Sequence, residues 1–335
     1  MLRLGYKASA EQFGPAQLLQ FAQRAEQRGF DSVFISDHFQ PWHHHGGHAP
    51  FSLAWLGALG ERTTRILMGT SVLTPCYRYH PSVVAQAFAT LACLFPGRVI
   101  LGAGSGESLN ELPATGMAWP EPRERTARFK EALRLIRTLW NEERVSFDGR
   151  YYRTHKATIY DRPELMPPLY VAAAGPVLAK YAGEVADGFI CTSGKEPQLY
   201  SETLLPNVAA GLHSAARERA SIDLMIEMKV SFDTDRQREL QDTRCWAALA
   251  LAPEQKSGVE DPVEMERLAG ELTAEQTARR WLVSTDPDEH VEQIRPYLEL
   301  GFRHLVFHAP GPDQARFIDL YAEQVLPRLR RAYGG

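Results

Sequence analysis

Short apolar runs alternate along the chain with longer amphipathic stretches. Eight of these runs are rich in β-branched and aromatic residues, which is typical of strands. They cover Arg3–Ala8, Asp31–Asp37, Arg65–Thr74, Arg98–Gly106, Leu169–Gly175, Asp187–Gly194, Asp223–Phe232 and His304–His308. Since a helical stretch or an insertion follows each run, the pattern predicts eight βα units.

The helical stretches carry apolar residues three and four positions apart, which favours amphipathic helices packed on a sheet. The longest is expected at about Pro122–Asn141. The other expected helices are Pro15–Arg28, Ser52–Arg62, Pro81–Phe95, Pro176–Ala186, about Gln198–Arg219, Pro287–Leu300 and Pro312–Arg331.

Strands that alternate with helices indicate a parallel sheet with right-handed crossovers. Eight such units favour a closed (β/α)8 TIM barrel, and an open doubly wound sheet is the alternative. We expect one domain over 1–335, with a hairpin at Val145–Arg153 that turns at Asp148-Gly149. The segments expected to interrupt the barrel are 37–51, 107–121, 142–168 and 234–276.

Composition narrows the class of protein. The 335 residues include 37 basic and 41 acidic side chains, for a formal charge of −4, and 44% are apolar. This balance argues against intrinsic disorder and against a strong nucleic-acid binder, which needs a basic excess. Four separate cysteines, no signal-peptide pattern and no apolar stretch of about 20 residues predict a cytoplasmic protein without a membrane span.

In a (β/α)8 barrel the active site lies at the carboxyl ends of the strands. Residues scattered along the sequence are therefore expected to meet at one rim. The residues of interest at the carboxyl ends of the predicted strands, or just after them, are Asp37, His38, Ser71, Val72, Thr74, Ser105, Gly106, Glu107, Asn110, Ala174, Gly175, Thr192 and Lys195.

Two of these residues are candidate acid–base groups. His38 directly follows a strand and could take a proton from an alcohol, although a packing histidine is the alternative. Its neighbour Asp37 could orient the ring or bind a polar edge of a cofactor. Glu107 follows a glycine-rich turn and could exchange a proton with a ligand, although a carboxylate that favours a helix N-terminus is the alternative.

Cations and histidines suggest two further kinds of site. Lys195, Lys256 and Arg280, together with Thr192, could hold a phosphate dianion. Each cation alone is more typical of a solvated surface residue, and spacing does not bring Lys256 and Arg280 to the rim. A metal site is not expected at the histidine-rich loop, because adjacent histidines do not point to one centre. The histidines of that loop are His43, His44, His45 and His48.

Longer motifs carry a resemblance that covers nearly the whole chain. They are LGYKASAEQF, SDHFQPW, GGHAPFS, GERT, GTSVLTP, AQAFATL, GSGESLNE, AKYAG, DGFICTSGK, EQK, DPDE and HLVFHAPG. The chain resembles the F420-dependent glucose-6-phosphate dehydrogenases, a branch of the luciferase-like superfamily. The resemblance implies an F420-binding barrel, usually a homodimer, that oxidises glucose 6-phosphate to 6-phosphogluconolactone.

The resemblance also implies roles for particular positions. His38 would be the catalytic histidine, Trp42 would help hold the sugar, and Glu107 would be the second acid–base group. A cis peptide is implied at Ser71–Val72, behind the deazaflavin ring. The positions that match cofactor contacts are Asp37, Ser71, Val72, Thr74, Ser105, Gly106, Asn110, Ala174, Gly175, Val177 and Leu178. Those that match sugar-phosphate ligands are Thr192, Lys195, Lys256 and Arg280.

The expected chemistry is hydride transfer from C1 of the sugar to C5 of the deazaflavin. His38 would take the hydroxyl proton and Glu107 would supply a proton at N1, although the two roles could be shared. Ser257 stands where some members of the branch have histidine, so another hexose 6-phosphate could compete. The alternatives are a luciferase-like flavin monooxygenase, a deazaflavin reductase of another substrate, and a non-catalytic phosphosugar-binding barrel.

Overall fold

A closed ring of parallel strands forms the centre of the molecule. The computed structural model describes residues 1–256 and 258–334. Its strands are β1 (Arg3–Ala8), β2 (Ser32–Ile35), β3 (Leu67–Thr70), β4 (Val99–Ala103), β5 (Leu169–Ala172), β6 (Gly188–Thr192), β7 (Asp223–Phe232), β8 (Leu282–Ser284) and β9 (His304–His308). The eight predicted strands are all present, and the observed strands are up to six residues shorter than the predicted ranges.

The pairing of the strands confirms the predicted barrel over the open sheet. Strands β1 to β7 pair in chain order, β7 then pairs with β9, and β9 pairs back with β1, every pair being parallel. The ninth strand, β8, lies outside this ring and pairs only with Val230–Phe232 of β7. The short stretch within Thr277–Thr285 therefore extends one wall of the barrel at its carboxyl rim.

Most of the helices cover the outside of the ring, and the short ones between the seventh and eighth strands lie over its carboxyl rim. They are α1 (Pro15–Gln27), α2 (Ser52–Arg62), α3 (Pro81–Leu94), α4 (Ser108–Thr115), α5 (Pro122–Asn141), α6 (Pro176–Val185), α7 (Leu205–Ser214), α8 (Arg236–Asp242), α9 (Pro253–Lys256), α10 (Pro262–Gly270), α11 (Ala274–Ala278), α12 (Pro287–Glu299), α13 (Gln314–Leu320) and α14 (Leu326–Tyr333). Several begin with proline, whose fixed φ and missing N–H suit a first helical turn. No helix in the described ranges is long and apolar enough to cross a membrane.

Three elements of the structure differ in detail from the predicted ones. The helix expected at about Gln198–Arg219 begins as a π-helical turn over Leu199–Leu204, continues as α7 and ends earlier. The final helix contains a π-helical turn between α13 and α14. The predicted hairpin is present as two isolated antiparallel bridges, Val145 with Ala157 and Asp148 with Arg153.

The kind of side chain that points into the barrel changes from the amino ends of the strands (the bottom) to their carboxyl ends (the top). Side chains two residues apart on a strand share a face, so Asp223, Met225, Glu227 and Lys229 of β7 point the same way. An apolar layer fills the middle of the barrel. Its members are Phe34, Ile100, Tyr170, Ile190, Met225 and Val306. The charged residues above this layer lie at the carboxyl rim and face the site described next.

Candidate active site

A cavity of about 430 Å³ opens at the carboxyl ends of the strands. All the predicted site residues line it except Gly175 and Val177, which lie at the start of α6. A larger groove of about 910 Å³ lies on the outer surface against α5 and α6. The smaller cavity is the candidate active site, because it is where polar groups from separate strands converge.

His38 lies three residues after the end of β2 and faces this cavity with only 14% of its side chain exposed. Its Nδ1 lies 3.3 Å from Oε1 of Glu11, and its ring centre is 6.4 Å from that of Trp42. Burial raises the pKa of Glu11, but the charges of His38 and Lys7 outweigh burial and the pKa ends below its ordinary value. Glu11 is thus an ionised partner for His38.

The carboxylate of Asp37 is engaged inside the protein. It accepts hydrogen bonds from Ser52 Oγ at 2.6 Å, from Arg78 Nη2 at 2.7 Å and from the Tyr79 hydroxyl at 2.9 Å. Arg78 also contacts Glu111 at 3.3 Å. These bonds hold the β2 loop against the next βα unit, and they position the backbone from which His38 projects. The predicted contact of Asp37 with a cofactor stays a prediction.

Glu107 stands at the N-cap position of α4 but does not cap the helix with its side chain. Its carboxylate is exposed to the cavity and lies close enough to Lys256 to raise the pKa of that lysine in part. Gly106 before it has φ +92°, a left-handed conformation that favours glycine. Asn110, on the first turn of α4, accepts hydrogen bonds from the amides of Phe39 and Gln40 through Oδ1.

The bond between Ser71 and Val72 is cis, as the resemblance implied. Ser71 and Val72 line the floor of the cavity together with Thr74, which is buried. Ala174, just before α6, and Leu178, in its first turn, also line the cavity.

Three cations and one hydroxyl side chain share one end of the cavity. They are Lys195, Lys256, Arg280 and Thr192. Burial and the charge of Arg280 lower the pKa of Lys195, and burial, Lys195 and Arg280 together lower that of Lys256. None of the three cations has a carboxylate within ion-pair distance in residues 1–256 and 258–334. Arg280 Nε is buried without a hydrogen-bond partner in the same ranges. The cluster is therefore arranged for an anion.

A glycine brings two members of this cluster together. Gly194 has φ +72°, and a Cβ atom there would lie 2.4 Å from the carbonyl oxygen of Arg280. The Arg280 guanidinium also donates to the Gly194 carbonyl. The turn after β6 can hold Arg280 only because residue 194 has no side chain.

We expect Gly194→Ala to lower the melting temperature and to raise KM for an anionic substrate. The left-handed conformation costs an alanine about 1–2 kcal/mol, and the added methyl group pushes Arg280 out of place. Gly46→Ala is the matched control, since Gly46 has φ +68° with no atom within 4 Å of the position that a methyl group would take. If both variants raise KM equally, Gly194 has no special role in placing Arg280.

The insertion between β7 and β8 covers one side of the cavity and carries Lys256. Its helices enclose a small apolar cluster of their own, against which Trp42 packs. Glu266 of α10 accepts hydrogen bonds from the amides of His44 and His45 at 2.9 and 3.0 Å. The β2 loop and the insertion therefore support each other. Among the described residues no histidine, cysteine or carboxylate group forms a metal-binding cluster.

Sequence reasoning missed several residues that line the cavity. They are Lys7, Glu11, Glu111, Glu227, Lys229, Trp246 and His308. A signal was available for some of them, because Lys7, Glu227 and Lys229 are charged residues inside otherwise apolar strands. Charged side chains are seldom buried unless they are paired. Ser257 lies outside the described residues.

Comparison with known proteins places the chain in a family. Residues 2–304 match the luciferase-like monooxygenase family. The chain is 65% identical to an F420-dependent glucose-6-phosphate dehydrogenase of Nakamurella multipartita, over 99% of this chain and 98% of that protein. It is 59% identical to the protein of the same name from Rhodococcus erythropolis, over 98% of each chain.

Solved structures agree with this relationship. An F420-dependent secondary alcohol dehydrogenase, in complex with an F420–acetone adduct, superposes with a TM-score of 0.91 at 33% identity, over 97% of this chain and 98% of that one. The F420-dependent tetrahydromethanopterin reductase of Methanopyrus kandleri shares the fold, with a TM-score of 0.81 at 22% identity over 98% and 99% of the two chains. The chain belongs to the luciferase-like family and, within it, to the F420-dependent glucose-6-phosphate dehydrogenases.

Proposed function

We propose that this protein oxidises glucose 6-phosphate at C1 to 6-phosphogluconolactone, with coenzyme F420 as the hydride acceptor. The observation that carries the proposal is the cluster of Lys195, Lys256 and Arg280, which has no carboxylate partner in the described ranges and shares one cavity with His38 and Glu107. A phosphate-binding end and an acid–base end in the same cavity suit a sugar phosphate. The family relationship supports the same activity.

The residues around the cavity fit a deazaflavin. Gly104 lines the cavity with backbone alone, and a Cβ atom there would lie 2.6 Å from Val72. At the other end α6 starts after Gly175, which provides no side-chain cap. The amides of Val177 and Leu178 therefore remain available for the cofactor phosphate. When bound, F420 supplies the hydride-accepting carbon, which none of the side chains can replace.

The cation cluster orients the substrate. Lys195, Lys256 and Arg280 bind the 6-phosphate, with Arg280 offering a planar pair of donors and the lysines point charges. Thr192, whose side chain is exposed to the cavity, adds a hydroxyl. Trp42 lies beside His38 and borders the sugar. The C1 end of the sugar is thereby held near His38.

Proton transfer is assigned to His38 and Glu107. His38 accepts the proton of the C1 hydroxyl as the hydride leaves, and the ionised Glu11 at 3.3 Å stabilises the positive charge that His38 gains. Glu107 carries the proton that balances charge on the cofactor side. Its carboxylate has no hydrogen-bond partner within residues 1–256 and 258–334, so it is free to exchange protons with a ligand.

We expect Glu107→Gln to lower kcat by about 10²-fold or more, with little change in F420 affinity, because the amide keeps the shape but carries no transferable proton. The measurement is steady-state turnover together with F420 titration. Glu121→Gln is the matched control, because Glu121 is also an N-cap residue without a side-chain cap, at the start of α5. Full turnover by Glu107→Gln would remove Glu107 from proton transfer.

The experiment that tests the function is loss of F420 absorbance on addition of glucose 6-phosphate. NADP and FMN serve as alternative acceptors, and glucose, mannose 6-phosphate and isopropanol as alternative substrates. Reduction of F420 that requires both the sugar and its phosphate supports the proposal. Oxidation of isopropanol in preference to any sugar phosphate would instead support a secondary alcohol dehydrogenase, which the solved relative makes the second candidate.

Two finer points accompany the proposal. The substrate is glucose 6-phosphate or a related hexose 6-phosphate, and relative kcat/KM values for the hexose series decide the strictness. The oligomeric state is proposed to be a homodimer, as the family resemblance implies, and light scattering would then give twice the mass of one chain.

A further inference from the structure

Two polar clusters lie inside the barrel on the same three strands. At the bottom, Asp223 of β7 contacts Arg3 of β1 and His304 of β9, each at 3.1 Å. Four residues further along each strand stand Glu227, Lys7 and His308, at the top. Because four residues along a strand return to the same face, the second cluster repeats the first at the level of the active site.

The top cluster is a continuous chain of contacts. Lys7 Nζ lies 3.0 Å from Glu227 Oε2, and it also donates to the carbonyl oxygen of Ser71. Ser71 Oγ donates to the same Glu227 oxygen at 3.1 Å. Lys229 Nζ lies 2.5 Å from Glu227 Oε1 and 2.6 Å from Nδ1 of His308. The peptide that borders the cavity floor is thus held from inside the barrel by an ion pair.

The residues of the top cluster are buried, so their charges must largely compensate one another. The side chains of Lys7, Glu227 and Lys229 are each less than 10% exposed. Burial raises the pKa of Glu227, but Lys229 and Lys7 outweigh burial and bring it well below its ordinary value. Burial and the charge of Lys229 lower the pKa of His308 to about 4, so this imidazole is neutral. Burial lowers the pKa of Lys229, and the charges of Glu227 and Glu11 offset part of this effect. Lys7 and Lys229 thus face two carboxylates, Glu227 and Glu11, and Glu11 also faces His38.

We propose that Lys7 and Glu227 are positioning residues for the oxidation, which hold the Ser71–Val72 peptide in place and set the electrostatic environment of Glu11 and His38. This inference rests on the proposed function. Replacing a purely structural buried ion pair by apolar groups of similar volume is often neutral for stability. The top pair instead contacts the cavity floor directly, whereas the bottom cluster lies below the apolar layer.

The proposal predicts opposite electrostatic effects of the two substitutions. Glu227→Gln leaves two lysines facing one carboxylate, and the excess positive charge makes protonation of His38 less favourable. The acidic limb of the pH profile of kcat/KM then moves to lower pH by about half to one unit. Lys7→Met leaves excess negative charge and moves the limb to higher pH by a similar amount.

Charged groups from several elements around the cavity contribute to this balance. The acidic limb of the pH profile therefore reports the summed effect of these charges. The direction in which a substitution shifts the limb follows from the charge that the substitution removes. The groups are Lys7, Glu11, Asp37, Arg78, Glu107, Glu111, Lys195, Glu227, Lys229, Lys256 and Arg280.

The experiment measures pH profiles of kcat/KM, kcat at the optimum, F420 affinity by fluorescence titration, and the melting temperature. The variants are Lys7→Met, Glu227→Gln and the double variant, which restores the charge balance. Asp223→Asn is the matched control, because it removes the equivalent carboxylate from the bottom cluster. The wild-type protein is assayed in parallel with F420 and glucose 6-phosphate, so an inactive wild type reports failure of the proposed function and not of this inference.

The expected result is a kcat loss of about 10- to 100-fold in each single variant, with limbs that shift in opposite directions and return toward wild type in the double variant. Asp223→Asn lowers the melting temperature but leaves the limb in place. An unshifted limb in Lys7→Met would overturn the proposal, and so would an equal shift in Asp223→Asn or a double variant whose limb stays as far from wild type as that of Lys7→Met. If Glu227→Gln does not fold, those three variants still decide between the outcomes.

Discussion

Replacing His38 with alanine is expected to lower kcat by about 10²- to 10⁴-fold while F420 still binds. A positioned base contributes that much to a proton transfer, and the environment of His38 suits it for the role. Its Nδ1 lies 3.3 Å from the ionised Glu11 and has no hydrogen-bond partner in the described part of the chain. The loss should appear in kcat and kcat/KM alike, because the interaction forms as the proton moves.

The control for this substitution is His44→Ala. His44 belongs to the same loop, but its side chain is exposed, and its backbone amide still donates to Glu266 when the ring is gone. We expect turnover close to wild type. The measurements are steady-state kinetics and fluorescence titration with F420. Wild-type turnover by His38→Ala would show that another group, Glu107 foremost, takes the hydroxyl proton.

The second large effect is expected at the phosphate-binding end of the cavity. Charge-assisted hydrogen bonds contribute about 1.5–3 kcal/mol each, so Lys256→Ala and Arg280→Ala should each raise KM for glucose 6-phosphate roughly 10- to 150-fold. The change in kcat should be smaller, because the phosphate lies far from C1. Removing both cations should raise KM further, with coupling between them since they face one ligand.

Arg279→Ala is the natural control for Arg280→Ala. Arg279 is the adjacent residue, is exposed, and does not line the cavity. Inorganic phosphate provides an independent readout, because it should inhibit the wild-type enzyme competitively with the sugar phosphate and inhibit Arg280→Ala more weakly. An unchanged KM for Lys256→Ala, or a loss of F420 affinity equal to the rise in KM, would exclude these cations as sugar-phosphate ligands.

The role of Arg280 is also conformational. Its guanidinium donates to the Gly194 carbonyl, and its own carbonyl packs against Gly194, which has no side chain to interfere. Arg280→Lys would keep the charge but lose the planar pair of donors. We expect its KM to lie between those of the wild type and Arg280→Ala.

Much of this protein follows from local patterns in its sequence. The apolar periodicity predicted eight strands and the helices between them, because burial on a sheet imposes period 2 or continuous apolar runs and burial on a helix imposes period 3.6. The helix at Pro122–Asn141 is found with the predicted bounds. The rule that active sites lie at strand ends then selected His38, Glu107 and Lys195 from their places along the chain alone.

Other features depend on contacts between distant segments, which no local pattern encodes. Lys256 and Arg280 meet Lys195 only because the insertion after β7 folds over the rim. The carboxylate of Asp37 is engaged by Ser52, Arg78 and Tyr79, which a reading of neighbouring residues cannot reveal. The bounds of five of the eight predicted strands were also overestimated, since a strand ends where its partner stops pairing.

The buried contacts that link Lys7 through Glu227 and Lys229 to His308 show most clearly what the sequence determined and what the tertiary structure decided. The sequence by itself determined the barrel, the rim and the residue types that stand at it, since these depend on periodicity and order along the chain. Only the tertiary structure decided which charges pair, because β1, β7 and β9 are neighbours through closure of the barrel, although their pairing residues are up to about 300 positions apart. A buried charge is tolerated only beside its partner, and closure of the ring is what brings those partners together.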